Sequence, residues 1–255
     1  MAERTWNTRI VLQYDGSRYQ GWQRQKHGEM TIQAKLEAVL SRLSGEPINV
    51  IGASRTDAGV HAEAQVANFH TSREVTPAEV AEYCYRYLPE DIVVKRADEV
   101  PERFHSRYLA RAKRYVYRIC NRPIHDVWSR RYSYHVPEKL DLNAMRRAGS
   151  ALVGRHDFAS FCSSRSGSKS TERELERADV TGAHGLVELT FEAPTFLHGM
   201  VRIIAGTLIE VGLRRVDPDD IEGMLARTER QAAGFTAPGY GLCLMEVRYD
   251  PPFAL

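Results

Sequence analysis

The sequence predicts an α+β fold in which a β-α-β-β-α-β order is used twice. Three observations predict it: stretches of period-2 and period-3.6 hydrophobicity alternate along the chain, the order of the first half recurs in the second, and 255 residues suffice for two small domains, each with a core. That order is the ferredoxin-like, or RRM-like, split βαβ arrangement, in which two helices cover one face of an antiparallel sheet and leave the other for a ligand. Two such halves, 1–105 and 106–255, with their sheets side by side would leave an active-site cleft between them. The boundary is the short polar connection Val100–Arg107.

Arg9–Tyr14 sets Ile10, Leu12 and Tyr14 on one face before the turn Asp15-Gly16, and so reads as a strand. Ile32, Leu36, Val39, Leu40 and Leu43 recur at helical spacing between Thr31 as N-cap and Gly45 as terminator. Strands follow at Asn49–Ala53 and Ala64–His70. Thr76-Pro77-Ala78-Glu79 joins a capping box to a proline in the first turn, and Val80, Tyr83, Cys84, Tyr87 and Leu88 form the stripe that this helix buries. Asp91–Ala97 is the last strand of the half. The second half repeats the order with strand Arg111–Cys120, helix Asp141–Leu152, strands Glu174–Val180 and Leu186–Ala193, helix His198–Val211, a short helix after Asp217-Pro218, and strand Leu242–Tyr249. Ser160–Ser170 is the Ser/Gly-rich stretch, read as a mobile polar loop outside the core that carries Arg165 and Lys169.

Hydrophobic residues at 43% and charged residues at 27% describe an ordinary globular protein. The richest apolar run, Met200–Leu213, is broken by Arg202 and Glu210 and falls short of the roughly 20 residues that a bilayer span needs, so no membrane association is expected. Met1–Trp6 has no apolar signal region, which makes the expected location cytoplasmic. Cys84, Cys120, Cys162 and Cys243 form no C-x-x-C pair and read as reduced thiols. Neither H-E-x-x-H, nor a P-loop, nor G-x-G-x-x-G, nor G-x-S-x-G occurs, so neither a metal nor a nucleotide cofactor is expected.

Net charge is only +2, but 29 of the 35 basic residues are arginines, whose planar fork suits phosphate. Between Arg103 and Arg131 nine basic residues face the single acid Asp126. A charge run is ordinarily a solvated face; here Tyr108, Tyr115, Tyr117, Trp128 and Tyr132 are interleaved with it, as in nucleic-acid grooves. No RNP1 octamer is present, which argues against a simple RNA-recognition module.

The sharpest local signal is Gly52-Ala53-Ser54-Arg55-Thr56-Asp57-Ala58-Gly59-Val60-His61-Ala62, in a loop between two strands. Taken alone, Asp57 before Ala-Gly is a turn residue bonding its own backbone. A second signal changes that reading. The helix His198–Val211 is apolar nearly all round and therefore buried, and a guanidinium at Arg202 needs a carboxylate partner there. Glu210 is two turns away, so a loop aspartate is the right kind of group.

With these residues in view, the chain resembles the tRNA pseudouridine synthase A family. The likeness runs through Tyr14-Asp15-Gly16 with Gly21-Trp22-Gln23-Arg24-Gln25, Arg55–Ala62, Lys113-Arg114-Tyr115-Val116-Tyr117, Asp157–Phe161 with Ser168–Thr171, Phe196–Arg202 and Ala237–Leu242. The resemblance implies Asp57 as nucleophile, Arg202 as the cation that pairs with it, and Tyr115 as the aromatic that stacks on the target uracil and serves in proton transfer. It implies isomerisation of uridine to pseudouridine at positions 38–40 of the tRNA anticodon arm, without cofactor, by a homodimer. Asp57 would attack either C1′ of the ribose or C6 of the uracil. The target nucleotide must leave the stacked helix, and Arg55 is the candidate to fill the space it vacates. Arg18, Arg24, Lys113, Arg165 and Lys169 are the cations expected to hold the RNA. The competing readings are a non-catalytic RNA-binding protein of the same fold, a synthase acting on another RNA, and a nucleoside hydrolase or glycosidase; the last lacks the second carboxylate or metal cluster it needs.

Overall fold

The computed structural model describes residues 5–25, 30–163 and 170–255. The chain forms two compact units, residues 1–111 with 244–255, and residues 112–243. In the first unit the order is β1 (Trp6–Tyr14), α1 (Ile32–Ser44), β2 (Ile51–Gly52), β3 (His61–Thr71), α2 (Pro77–Tyr87) and β4 (Ile92–Val100). The second takes in β5 (Ala110–Cys120), β6 (Tyr134–His135), α3 (Leu142–Ala151), β7 (Gly154–Asp157), β8 (Glu172–Leu175), β9 (Arg177–Ala183), β10 (Leu186–Ala193), α4 (Met200–Gly212) and α5 (Ile221–Arg227), and β11 (Leu242–Tyr249) ends the regular structure. The fold is α+β, as the sequence predicts.

In the first unit the strands lie in the order β4-β1-β3-β11, with β2 also on β3. β1 runs antiparallel to both neighbours, with Ile10 opposite Ala67 on one side and Ala97 on the other. Ile10, Leu12 and Tyr14 are all buried, as their alternation requires. The helix ends follow their capping residues. Thr31 accepts from Ala34 N, Gly45 closes α1 in the left-handed region, and Thr76 and Glu79 exchange both bonds of the capping box. The stripe on α2 is narrower than expected: Val80 and Cys84 are buried, whereas Tyr87 is exposed, its ring tilted against Tyr83 at 4.4 Å between centroids with Arg42 over it. β11, expected in the second half, makes its contacts from Leu244 onward in the first unit. There it borders β3, and Tyr249 packs on Phe104 at 5.4 Å while its hydroxyl donates to Ser106 O.

In the second unit β5, β10 and β9 are consecutive neighbours, antiparallel, with β6 on β5. The expected strand Glu174–Val180 is two strands. β8 pairs with β7 in a separate two-stranded sheet, and the chain changes sheets at Glu176, whose N–H bonds Glu192 O. α4 is buried on nearly every side, Arg202 and Glu210 excepted. The Ser/Gly-rich stretch does not start as a polar loop: Phe161 is fully buried, and Ser160 is buried with its hydroxyl satisfied by Met224 O. Among the described residues all four cysteines are buried free thiols, and burial pushes Cys84 up to about 12. No helix among them is long and apolar enough to cross a membrane.

Candidate active site

Asp57 lies in the loop from β2 to β3, which has no regular structure, so its shape is set by what it touches. The supports come from β1, β3 and the segment after β1. The buried Gln65 of β3 accepts from Ser54 N at 3.2 Å and donates to Ser54 O at 2.7 Å. The Tyr14 hydroxyl meets Thr56 Oγ1 at 2.8 Å, and Trp22 N donates to Thr56 O at 2.9 Å. Gly59 N reaches Tyr19 O, and Val60 N closes the turn on Asp57 O. Gly21 makes the approach possible: its φ is +96°, and a Cβ there would stand 2.6 Å from Thr56 O. Thr56 is thus held inward, while Arg55 on one side is exposed and Asp57 on the other is half-buried. A loop pinned at its middle residue presents the two charged residues beside it in a fixed geometry.

The segment that does the pinning is itself braced. Ser17 N bonds Asp15 Oδ1, Gly16 N donates to His61 Nδ1, and the Tyr19 hydroxyl donates to Asp91 Oδ1. Burial, with the Asp91 carboxylate adding, raises the Tyr19 hydroxyl above its ordinary value, so it stays a donor. Arg18 pairs with the same carboxylate at 2.7 Å. Arg24 pairs at 2.9 Å with Glu37, a buried carboxylate that also takes Val50 N and Gln33 Nε2. Both arginines therefore have structural work besides any contact with a ligand.

In the second unit Tyr115 sits on β5, nearly buried, with Phe196 edge-on to its ring at 5.2 Å. Lys113 and Tyr117 share its face of the strand by alternation. Lys113 is buried and donates to Pro194 O at 3.0 Å. Tyr117 is fully buried and donates to Pro238 O at 3.0 Å. Burial raises the Tyr117 hydroxyl, Tyr240 and Tyr134 add to the effect, and Arg202 opposes it. Tyr117 is thus a packing residue, the ordinary role for such a tyrosine.

Arg202 stands in the first turn of α4, where Gly199 in the left-handed region begins the helix. Its Nε donates to Ala237 O at 2.7 Å, and Ala237 N donates back to Arg202 O at 3.0 Å. The chain at 233–237 can lie this close because Gly206 has no side chain: a Cβ there would be 1.9 Å from Phe235 O. Thr207 adds a polar tie, accepting from Gly234 N at 2.9 Å and donating to Ile203 O at 2.9 Å. Ala237–Leu242, a run whose role the sequence alone does not reveal, thus supplies in its first residue the carbonyl that orients Arg202. Arg165 and Lys169 lie outside the described residues. Among the described residues no group of three or more His, Cys, Asp or Glu could hold a metal ion.

Comparison with known proteins gives the family. A family model described as tRNA pseudouridine synthase matches residues 10–109 and 148–250. A Clostridium tetani protein named tRNA pseudouridine synthase A 1 is 48% identical over 243 residues, 95% of this chain and 99% of its own length. Proteins of related name from Bacillus cereus and Acetivibrio thermocellus are each 42% identical over 95% of this chain and 99% of theirs. The chain belongs to the tRNA pseudouridine synthase family, isomerases that act on uridine in tRNA.

Proposed function

We propose that the protein converts uridine to pseudouridine at positions 38–40 in the anticodon arm of tRNA, with Asp57 as the nucleophile. The N1–C1′ bond of the target breaks and a C5–C1′ bond forms. The C5 proton is lost and N1 ends protonated, so atoms balance and nothing is oxidised. As a carboxylate nucleophile Asp57 would attack the ribose C1′ or the uracil C6. Arg202 would hold that carboxylate by a charge-assisted bond; with Nε engaged by Ala237, the Nη groups would make it. Tyr115 would stack on the uracil and take part in moving the C5 proton, and Arg55 would fill the place of the flipped nucleotide.

The observation that carries this reading is the pinned loop, in which Thr56 faces inward and Arg55 and Asp57 are displayed on either side of it. In this reading the site must also exclude water while the glycosidic bond is cleaved. Lys113, Arg18, Arg24, Arg165 and Lys169 would bind tRNA in that reading, and the protein would act as a cytoplasmic homodimer. The test is to incubate unmodified tRNA transcripts with purified protein and map pseudouridine along them. Conversion confined to positions 38–40 is expected; none there, or conversion only in ribosomal RNA, overturns the proposal.

A further inference from the structure

We infer that the connection from β4 to β5 is a platform for the substrate RNA, with Tyr108 stacking on a nucleobase and Arg103 and Arg107 meeting phosphates. The inference rests on the tRNA reading above and assigns residues that reading does not use. Residues 101–109 contain neither helix nor strand, yet they are firmly anchored. Phe104 is buried between Tyr249 at 5.4 Å and Phe253 at 5.2 Å, and its carbonyl accepts from Asn7 Nδ2 at 2.9 Å. Ser106 is fully buried, its N–H on Asn68 Oδ1 and its hydroxyl on Ile51 O.

These anchors fix a knuckle between and beyond them. His105 Nδ1 accepts from both Arg107 N and Tyr108 N at 3.2 Å, which requires the tautomer with its proton on Nε2. Partial burial, with Arg107 and His70 adding, lowers the pKa of His105, so the imidazole stays neutral and keeps that acceptor. The Tyr108 ring lies on the imidazole, 4.1 Å between centroids and 26° between planes, and is 77% exposed. A large aromatic left in water on a rigid support is pre-organised for stacking and loses little freedom on binding.

Charge decides the kind of partner. Arg103 and Arg107 are exposed, and the acid between positions 101 and 109 is Glu102, which accepts from the Thr5 hydroxyl. Leu109 is the one exposed aliphatic residue of the stretch, so the surface offers little to an apolar protein face. An exposed aromatic plane in a stretch with two exposed arginines, Arg103 over the Phe253 ring at 5.9 Å and Arg107 adjacent to Tyr108 in sequence, fits a polyanion that carries planar rings, which is RNA.

The test uses the full-length protein and an unmodified tRNA transcript, measuring equilibrium affinity at several salt concentrations together with steady-state kinetics. Tyr108→Ala should raise Kd and KM about tenfold, with kcat at saturating tRNA within twofold of wild type, and Tyr108→Phe should restore affinity. Arg107→Ala should lower the log–log salt slope by about one. Unchanged affinity in Tyr108→Ala together with an unchanged slope in Arg107→Ala overturns the platform. A change in solution mass by light scattering, with tRNA affinity intact, also overturns it, because the surface would then join two copies of the chain. If wild type converts no uridine while these variants still lose tRNA affinity, the platform stands and the isomerase reading fails.

Discussion

Of the three groups proposed for the chemistry, Arg202 and Asp57 are held in opposite ways. Arg202 is carried by a regular helix, and only its side chain needs positioning, by a carbonyl from a chain segment 35 residues away. Asp57 is carried by a loop without regular structure, and its whole backbone is positioned, through Ser54, Thr56, Gly59 and Val60. Both supports depend on a glycine where a Cβ would collide with a carbonyl, Gly21 against Thr56 and Gly206 against Phe235. A helix supplies direction from its own hydrogen bonds, whereas a loop must borrow rigidity from the strands beside it.

Arg202→Met is expected to have the largest effect of the substitutions that probe this contrast, lowering kcat about 10²–10³-fold, the scale of removing one oriented charged donor. It should also lower thermal stability, and, if Asp57 is its partner as proposed, much less so in an Asp57→Asn background, where no carboxylate is left unpaired. Additive losses in that double-mutant cycle would show that the two residues do not pair.

Gly21→Ala and Gly206→Ala compare the two supports directly. Each forces a methyl into a carbonyl and should cost about 1–3 kcal/mol in urea unfolding. Gly21→Ala is expected to lower kcat more per unit of stability lost, since it moves the backbone that carries Asp57. Equal losses in kcat at equal stability would remove the distinction between the supports.

Part of this was legible in the sequence because it is local. The Thr31 cap and the Thr76/Glu79 box act across three residues, and α4 declared its burial through its own composition. The Arg55–Ala62 run, by contrast, reads locally as an ordinary turn, and only Arg202 and the family likeness suggest chemistry there. What was hidden is non-local. Gln65 lies on β3 in a run that reads simply as strand, and nothing in its neighbours marks it as the partner of Ser54. Tyr14 reaches Thr56 across 42 residues. Helical spacing set Tyr87 among the buried residues of α2, but it stays exposed, its ring tilted against Tyr83 with Arg42 over it. The strand through Glu176 breaks because its N–H turns to Glu192 on another strand.

Thr207→Val tests the finer support of Arg202. It preserves shape while leaving Gly234 N without its acceptor, a loss of about 1–3 kcal/mol, and it should lower kcat several-fold with KM unchanged. Thr207→Ser should restore kcat, whereas a merely structural role would move stability and leave kcat alone. The smallest effects are expected from Arg18→Ala and Arg24→Ala. Both side chains are engaged by carboxylates, so each should change the salt slope of tRNA binding by less than the one unit of a full phosphate contact. A full unit would make them direct RNA contacts.

Release of tritium from tRNA labelled at C5 of uracil, followed in a single turnover with enzyme in excess, tests the role of Asp57 most directly, because the C5 proton leaves only if the new C–C bond forms. Wild type should release label from the anticodon arm, and Asp57→Asn should release none while binding the same tRNA within a few-fold of wild type. Release by Asp57→Asn at a rate near wild type would contradict the assignment of the nucleophile.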